Sequence, residues 1–93
     1  MDKFKEIISN KLEETLEKAE KINCWRSIIF FLSPISNELD FRVVYTEHQH
    51  DASQWAWDMH DKYHGLKIPH YVYSTVWDSS YDGGLYIEDA IDE

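Results

Sequence analysis

The sequence predicts an α+β domain, two helices packed on an antiparallel sheet of about four strands in the order αββαββ. Three observations carry this. Residues 3–22 hold apolar side chains at helical spacing. Two runs rich in β-branched and aromatic residues follow, separated by turn formers, and after a second helical stretch the strand, turn, strand pattern recurs. At 93 residues the chain has the length of one small domain, expected to span 1–93.

In the first helix Phe4, Ile7, Ile8, Leu12, Leu16 and Ala19 line one side. Glu14 with Lys18 and Glu17 with Lys21 form i, i+4 pairs on the other side. The segments WRSIIFFLS (25–33) and FRVVYTE (41–47) read as an antiparallel hairpin joined through the turn formers of SPISNELD. Ile28 to Leu32 is apolar at both parities. That pattern fits a central strand covered on both faces, or a strand with one face under a partner.

A second helix is expected over 52–64, opened by Asp51 and Gln54 as a capping box and closed by Gly65, with Pro69 barring continuation. Ala52, Trp55, Ala56, Met59 and Tyr63 make its core stripe, which leaves Trp57, His60, Asp61 and His64 on another face. HYVYSTVW (70–77) and LYIE (85–88) then flank the hairpin signal Asp82-Gly83. Strand parity places Tyr71, Tyr73, Thr75 and Trp77 on one side of the sheet, and Val72 and Val76 on the other. The acidic tail, 89–93, is expected to fray beyond the last strand.

Composition narrows the function. With 43% hydrophobic and 15% aromatic residues, the chain is too apolar to be disordered. The longest apolar run is far shorter than the roughly 20 residues a bilayer span needs, so a cytoplasmic protein is expected. Cys24 is the single cysteine, which rules out an internal disulfide and suggests a small buried filler. The net charge of −9 is unevenly spread: residues 1–42 carry eight acidic and seven basic side chains, residues 43–93 ten and two. Such a surface repels phosphate, so direct contact with nucleic acid or an anionic membrane is disfavoured and a basic protein partner favoured.

The segment EHQHDASQWAWDMHDKYHG (47–65) concentrates four histidines, four carboxylates and two tryptophans. His48 and His50 would share one side of an extended strand, and His60 and His64 lie one helical turn apart, so all four are weak metal candidates. The zinc-hydrolase pattern H-E-x-x-H is missing, and no metal or other cofactor is expected. Neither a nucleophile elbow nor a phosphate-cradling glycine loop is present, so no enzyme is expected. Protein recognition uses more of these residues at once. Trp57, Asp58, His60, Asp61 and His64 would form one part of a partner-binding surface, and Asp78, Asp82, Glu88 and Asp89 another. Carboxylates one helical turn apart, about 6 Å, imitate the spacing of backbone phosphates. Tyr71, Tyr73 and Trp77 offer an aromatic face to the partner or to a second copy in a homodimer.

In being short, acidic and aromatic-rich, the chain resembles phage DNA-mimic inhibitors of restriction or CRISPR nucleases. The resemblance is one of character and rests on no motif. It implies a stoichiometric inhibitor that occludes the basic nucleic-acid-binding surface of its partner, in the host cytoplasm if phage-encoded. The alternatives are an immunity protein specific for one nuclease toxin, which the chain also resembles in character, and a small metal-binding or enzymatic domain.

Overall fold

The computed structural model describes residues 2–76 together with Tyr81 and Asp82. Its elements are α1 (Asp2–Ile22), β1 (Trp25–Leu32), β2 (Leu39–Thr46), α2 (Gln49–Gly65) and β3 (His70–Ser74). The strands form an antiparallel sheet in the order β2-β1-β3, so the α+β class with two helices holds. Tyr81 and Asp82 pair antiparallel with Val72 and Tyr71. The strand expected at 85–88, the Gly83 half of the turn, the tail 89–93, and the site residues Trp77, Asp78, Glu88 and Asp89 lie outside the described residues, as does the side chain of Asp82.

β1 resolves the ambiguity of its two-sided apolar run, because each parity meets a different helix. Ile28 and Phe30 face α1, packing with Phe4, Ile8 and Leu12 of that helix, Phe41 and Val43 of β2, and Tyr71 and Tyr73 of β3. Ile29 faces α2, in a cluster with Ala56, Tyr63 and Val72 that Phe31, Trp55, Met59 and Ile68 extend. Ile28, Ile29, Phe30 and Val72 have no accessible surface. Burial on this scale contributes about 1.5–3 kcal/mol per side chain. The rings add directional contacts, Phe30 to Tyr73 edge-on at 6.0 Å on the α1 side and Phe31 to Tyr63 at 4.7 Å on the α2 side.

Small residues let α2 approach closely. Ala52 and Ala56 are fully buried over Ser27, whose hydroxyl donates to the Ala52 carbonyl at 2.8 Å. Ser27 Oγ also lies 2.9 Å from Ser74 Oγ across the strands, which satisfies a polar group in an otherwise apolar layer.

The helix boundaries differ from the sequence reading. α2 begins at Gln49 with His48 as N-cap, and no side chain caps it. Asp51 is therefore inside the first turn, where it compensates the helix dipole. Gln54 donates to Asp58 Oδ1 at 2.9 Å, so the expected capping box does not form. At the other end Gly65 is still helical, and the left-handed residue is Lys67 (φ 59°). The Ile68 N–H bonds the Tyr63 carbonyl and the Lys67 N–H that of His64, both at 3.0 Å, a Schellman closure. α1 closes the same way through Asn23 (φ 56°), with the Cys24 N–H on the Ala19 carbonyl at 2.9 Å. Ile7 and Leu16, expected in the α1 core stripe, are exposed, and buried Thr15 takes a place in the stripe with its hydroxyl donating to the Lys11 carbonyl. Lys11 forms an ion pair with Glu14 at 3.0 Å. Cys24 is half-buried rather than enclosed.

At the end of α2, glycine and lysine occupy each other's preferred conformations. Gly65→Ala adds a Cβ that meets nothing within 4 Å. Lys67→Gly relieves a left-handed strain of roughly 1–2 kcal/mol at some entropic cost. Each substitution is expected to raise stability by about 0.5–1 kcal/mol in urea unfolding.

Candidate functional site

The outer surface of α2 carries the side chains that sequence reasoning assigned to recognition. Because Ala52, Ala56 and Tyr63 are drawn onto the sheet, the 3.6-residue period turns Trp57, Asp58, Asp61 and His64 away from it. Trp57 is 41% exposed. Trp55, two residues earlier, packs into the core with Met59 and Ile68. Asp58 is held along the helix by Gln54, while Glu47 and Asp51 continue the exposed acid surface toward the N-terminus.

His60 departs from the expected surface set. It is 8% exposed and turned against β3, where its Nδ1 lies 3.0 Å from Nε2 of fully buried His70. The other ring nitrogen of His70, Nδ1, lies 2.6 Å from the Ile68 carbonyl oxygen. A carbonyl only accepts, so His70 Nδ1 carries a hydrogen. When His70 is neutral its Nε2 must then accept, and His60 Nδ1 must donate. The chain Ile68 to His70 to His60 thus fixes two imidazoles and ties the middle of α2 to the start of β3. Trp57 stands edge-on to His60 with ring centroids 5.8 Å apart, and His64 lies 5.7 Å from it on the following turn. The exposed tryptophan is therefore oriented from beneath by a buried ring.

Sequence reasoning missed His70. The available signal was its parity: it shares the inward side of β3 with Val72 and Ser74 and, like them, is buried.

His48 and His50 lie at the start of α2 rather than along a strand, and both are exposed. Ten residues of helix separate His50 from His60, about 15 Å along the axis, so the two histidine pairs cannot share one ion. No group of three or more potential metal ligands converges among the described residues.

Tyr71 and Tyr73, expected as an aromatic face, are half-buried beside α1 with rings 6.3 Å apart. With Lys5, Ile8, Ser9 and Leu12 they line a groove of about 330 Å³. The first helix therefore supplies much of the cover expected from the partner or from a second copy.

One buried charge stands apart. Arg26 is 5% exposed, and its Nε and Nη1 have no hydrogen-bond partner among the described residues. Burial lowers its pKa below the ordinary arginine value, with the facing Tyr45 opposing that shift. The side chain is held in the layer between α1 and the sheet by its strand position, between Trp25 and Ser27.

Comparison of the chain with models of known protein families, with curated proteins and with solved structures finds no match in any of the three. No helix among the described residues is long and apolar enough to cross a membrane.

Two substitutions separate the buried polar groups. His70→Phe keeps a ring in the core but orphans the Ile68 carbonyl and His60 Nδ1. It is expected to cost about 1–3 kcal/mol in denaturant unfolding. Arg26→Met replaces a buried charge, two of whose nitrogens have no partner among the described residues, by an apolar chain of similar length. It is expected to raise stability by about 1 kcal/mol or more at neutral pH.

Proposed function

We propose that this chain is a stoichiometric protein inhibitor that binds a basic partner and occludes its nucleic-acid-binding surface. The observation that carries this reading is the division of labour between two neighbouring tryptophans. Trp55 is half-buried against the core, whereas Trp57 stays 41% exposed among Asp58, Asp61 and His64. A large ring left in water beside carboxylates has the composition of an interface anchor with a charged rim. The helix beneath it is fixed to the sheet by the His60 and His70 pair, so little conformational entropy remains to be lost on binding.

The charge distribution assigns a second role. Residues 77–93 hold six carboxylates and no lysine or arginine, which leaves a net charge of only −3 on residues 1–76. In this reading α2 provides the anchor, and Asp78, Asp82, Glu88 and Asp89 provide most of the long-range attraction.

A titration of DNA cleavage by a panel of restriction and CRISPR nucleases tests the proposal. The expected result is inhibition with a one-to-one end point and an affinity that falls steeply as salt is raised. Trp57→Ala should weaken inhibition about 30-fold, equivalent to about 2 kcal/mol, with unchanged thermal stability. Trp55→Ala should instead lose about 3–5 kcal/mol of folding free energy. Asp58→Asn with Asp61→Asn should slow association. Inhibition confined to a single toxin nuclease would assign the chain to immunity proteins, and inhibition of none would end the proposal.

A further inference from the structure

We propose that two copies of this chain join through the free edge of β2, extending the sheet across a two-fold axis at Phe41. β2 is the outer strand of the order β2-β1-β3, and no described strand pairs with its far side. It runs for eight residues in unbroken register with β1, from Leu32 facing Leu39 to Trp25 facing Thr46. It contains neither proline nor a bulge, two common means of blocking edge pairing.

The hairpin fixes which backbone groups are available. The Ser33 N–H bonds the Glu38 carbonyl at 2.9 Å, so in the antiparallel alternation the even-numbered residues of β2 point their main-chain groups at β1. Leu39, Phe41, Val43 and Tyr45 therefore point theirs outward. The Phe41 N–H agrees with this assignment, being held by the carboxylate of Asp40 at 2.8 Å rather than by a strand.

Charge selects the register. Asp40 and Arg42 are both exposed on the α2 side of the strand, two residues apart and opposite in sign. In a symmetric antiparallel pair centred on Phe41, Asp40 of each copy faces Arg42 of the other, giving two ion pairs at the closer, non-hydrogen-bonded spacing. The outward backbone groups of Phe41 then meet their own equivalents, the Phe41 N–H exchanging the Asp40 carboxylate for the carbonyl of the other copy and so releasing Asp40 to Arg42, and those of Leu39 meet those of Val43. On the α1 side, half-buried Phe41, Leu39 and Val43 add apolar contacts across the axis. An axis at Arg42 would set arginine against arginine, and one at Asp40 carboxylate against carboxylate. An axis at Val43 would leave Arg42 opposite Val44 and Asp40 opposite Thr46, pairing neither charge. Phe41 is the centre that satisfies both the backbone and the charges.

This inference is independent of nuclease inhibition, since it rests on residues remote in sequence from Trp57 and is read by a different experiment. Sedimentation equilibrium of the full chain from 1 to 100 µM (about the range for a weak strand-edge dimer) is expected to show a monomer–dimer equilibrium. Asp40→Arg and Arg42→Asp, each placing like charges across the axis, should raise the dimer dissociation constant about tenfold or more. The charge-swapped double variant Asp40→Arg/Arg42→Asp should restore it. An equimolar mixture of the two single variants should form a heterodimer. Circular dichroism and thermal melts of each variant establish that the fold persists. Wild-type protein that remains monomeric throughout would overturn the proposal. So would a dimer indifferent to both reversals, or one that neither the double variant nor the mixture restores.

Discussion

Burial of β1 on both faces is the constraint on which the rest of the molecule depends. A strand with Ile28 and Phe30 on one side and Ile29 on the other cannot leave either side to water. α1 covers the first parity and α2 the second, so the two helices end up on opposite faces of a narrow sheet. Every feature of the candidate site follows from that placement. α2 must present Ala52, Ala56 and Tyr63 inward, and the helical period then dictates that Trp57, Asp58, Asp61 and His64 look outward.

Polar groups caught between the layers are handled in two ways. Ser27 and Ser74 satisfy each other and the Ala52 carbonyl, and His60, His70 and the Ile68 carbonyl do the same at the other end of α2. These bonds add little net free energy, because they replace bonds to water, yet breaking one leaves a desolvated donor or acceptor. They act mainly to fix the axial position of α2 on the sheet. Arg26 is the counterexample, a guanidinium taken out of water with two nitrogens unsatisfied among the described residues. It lies opposite Tyr45 on β2, far along the strand from Phe41.

In the proposed inhibitor, anchoring and attraction fall on different parts of the chain. The described surface of α2 is acidic but modestly so, whereas the sequence places six carboxylates and no lysine or arginine in 77–93. A rigid aromatic contact needs a packed support, and α2 has one. Electrostatic steering acts over a Debye length, about 8 Å at physiological salt, and needs only proximity. That difference lets the proposed reading place charge and contact on different stretches of one short chain.

The sequence by itself determined the class, the helix and strand order through β3, the core stripe of α2 and the contrast between Trp55 and Trp57. All of these depend on local periodicity, which is written in residue spacing. It left open whether Ile28 to Leu32 belong to a central strand covered on both faces or to a strand with one face under a partner. Tertiary structure decided what spacing could not. The C-terminal boundary of α2 moved because Lys67, not Gly65, takes the left-handed position, with Ile68 behind it packed against the core. His60 turned inward because His70, ten residues away on β3, offered a nitrogen at 3.0 Å. Tyr71 and Tyr73 were half-covered because α1 packs on their side of the sheet. In each instance the deciding partner is brought in by the fold, and no pattern within the segment itself records it.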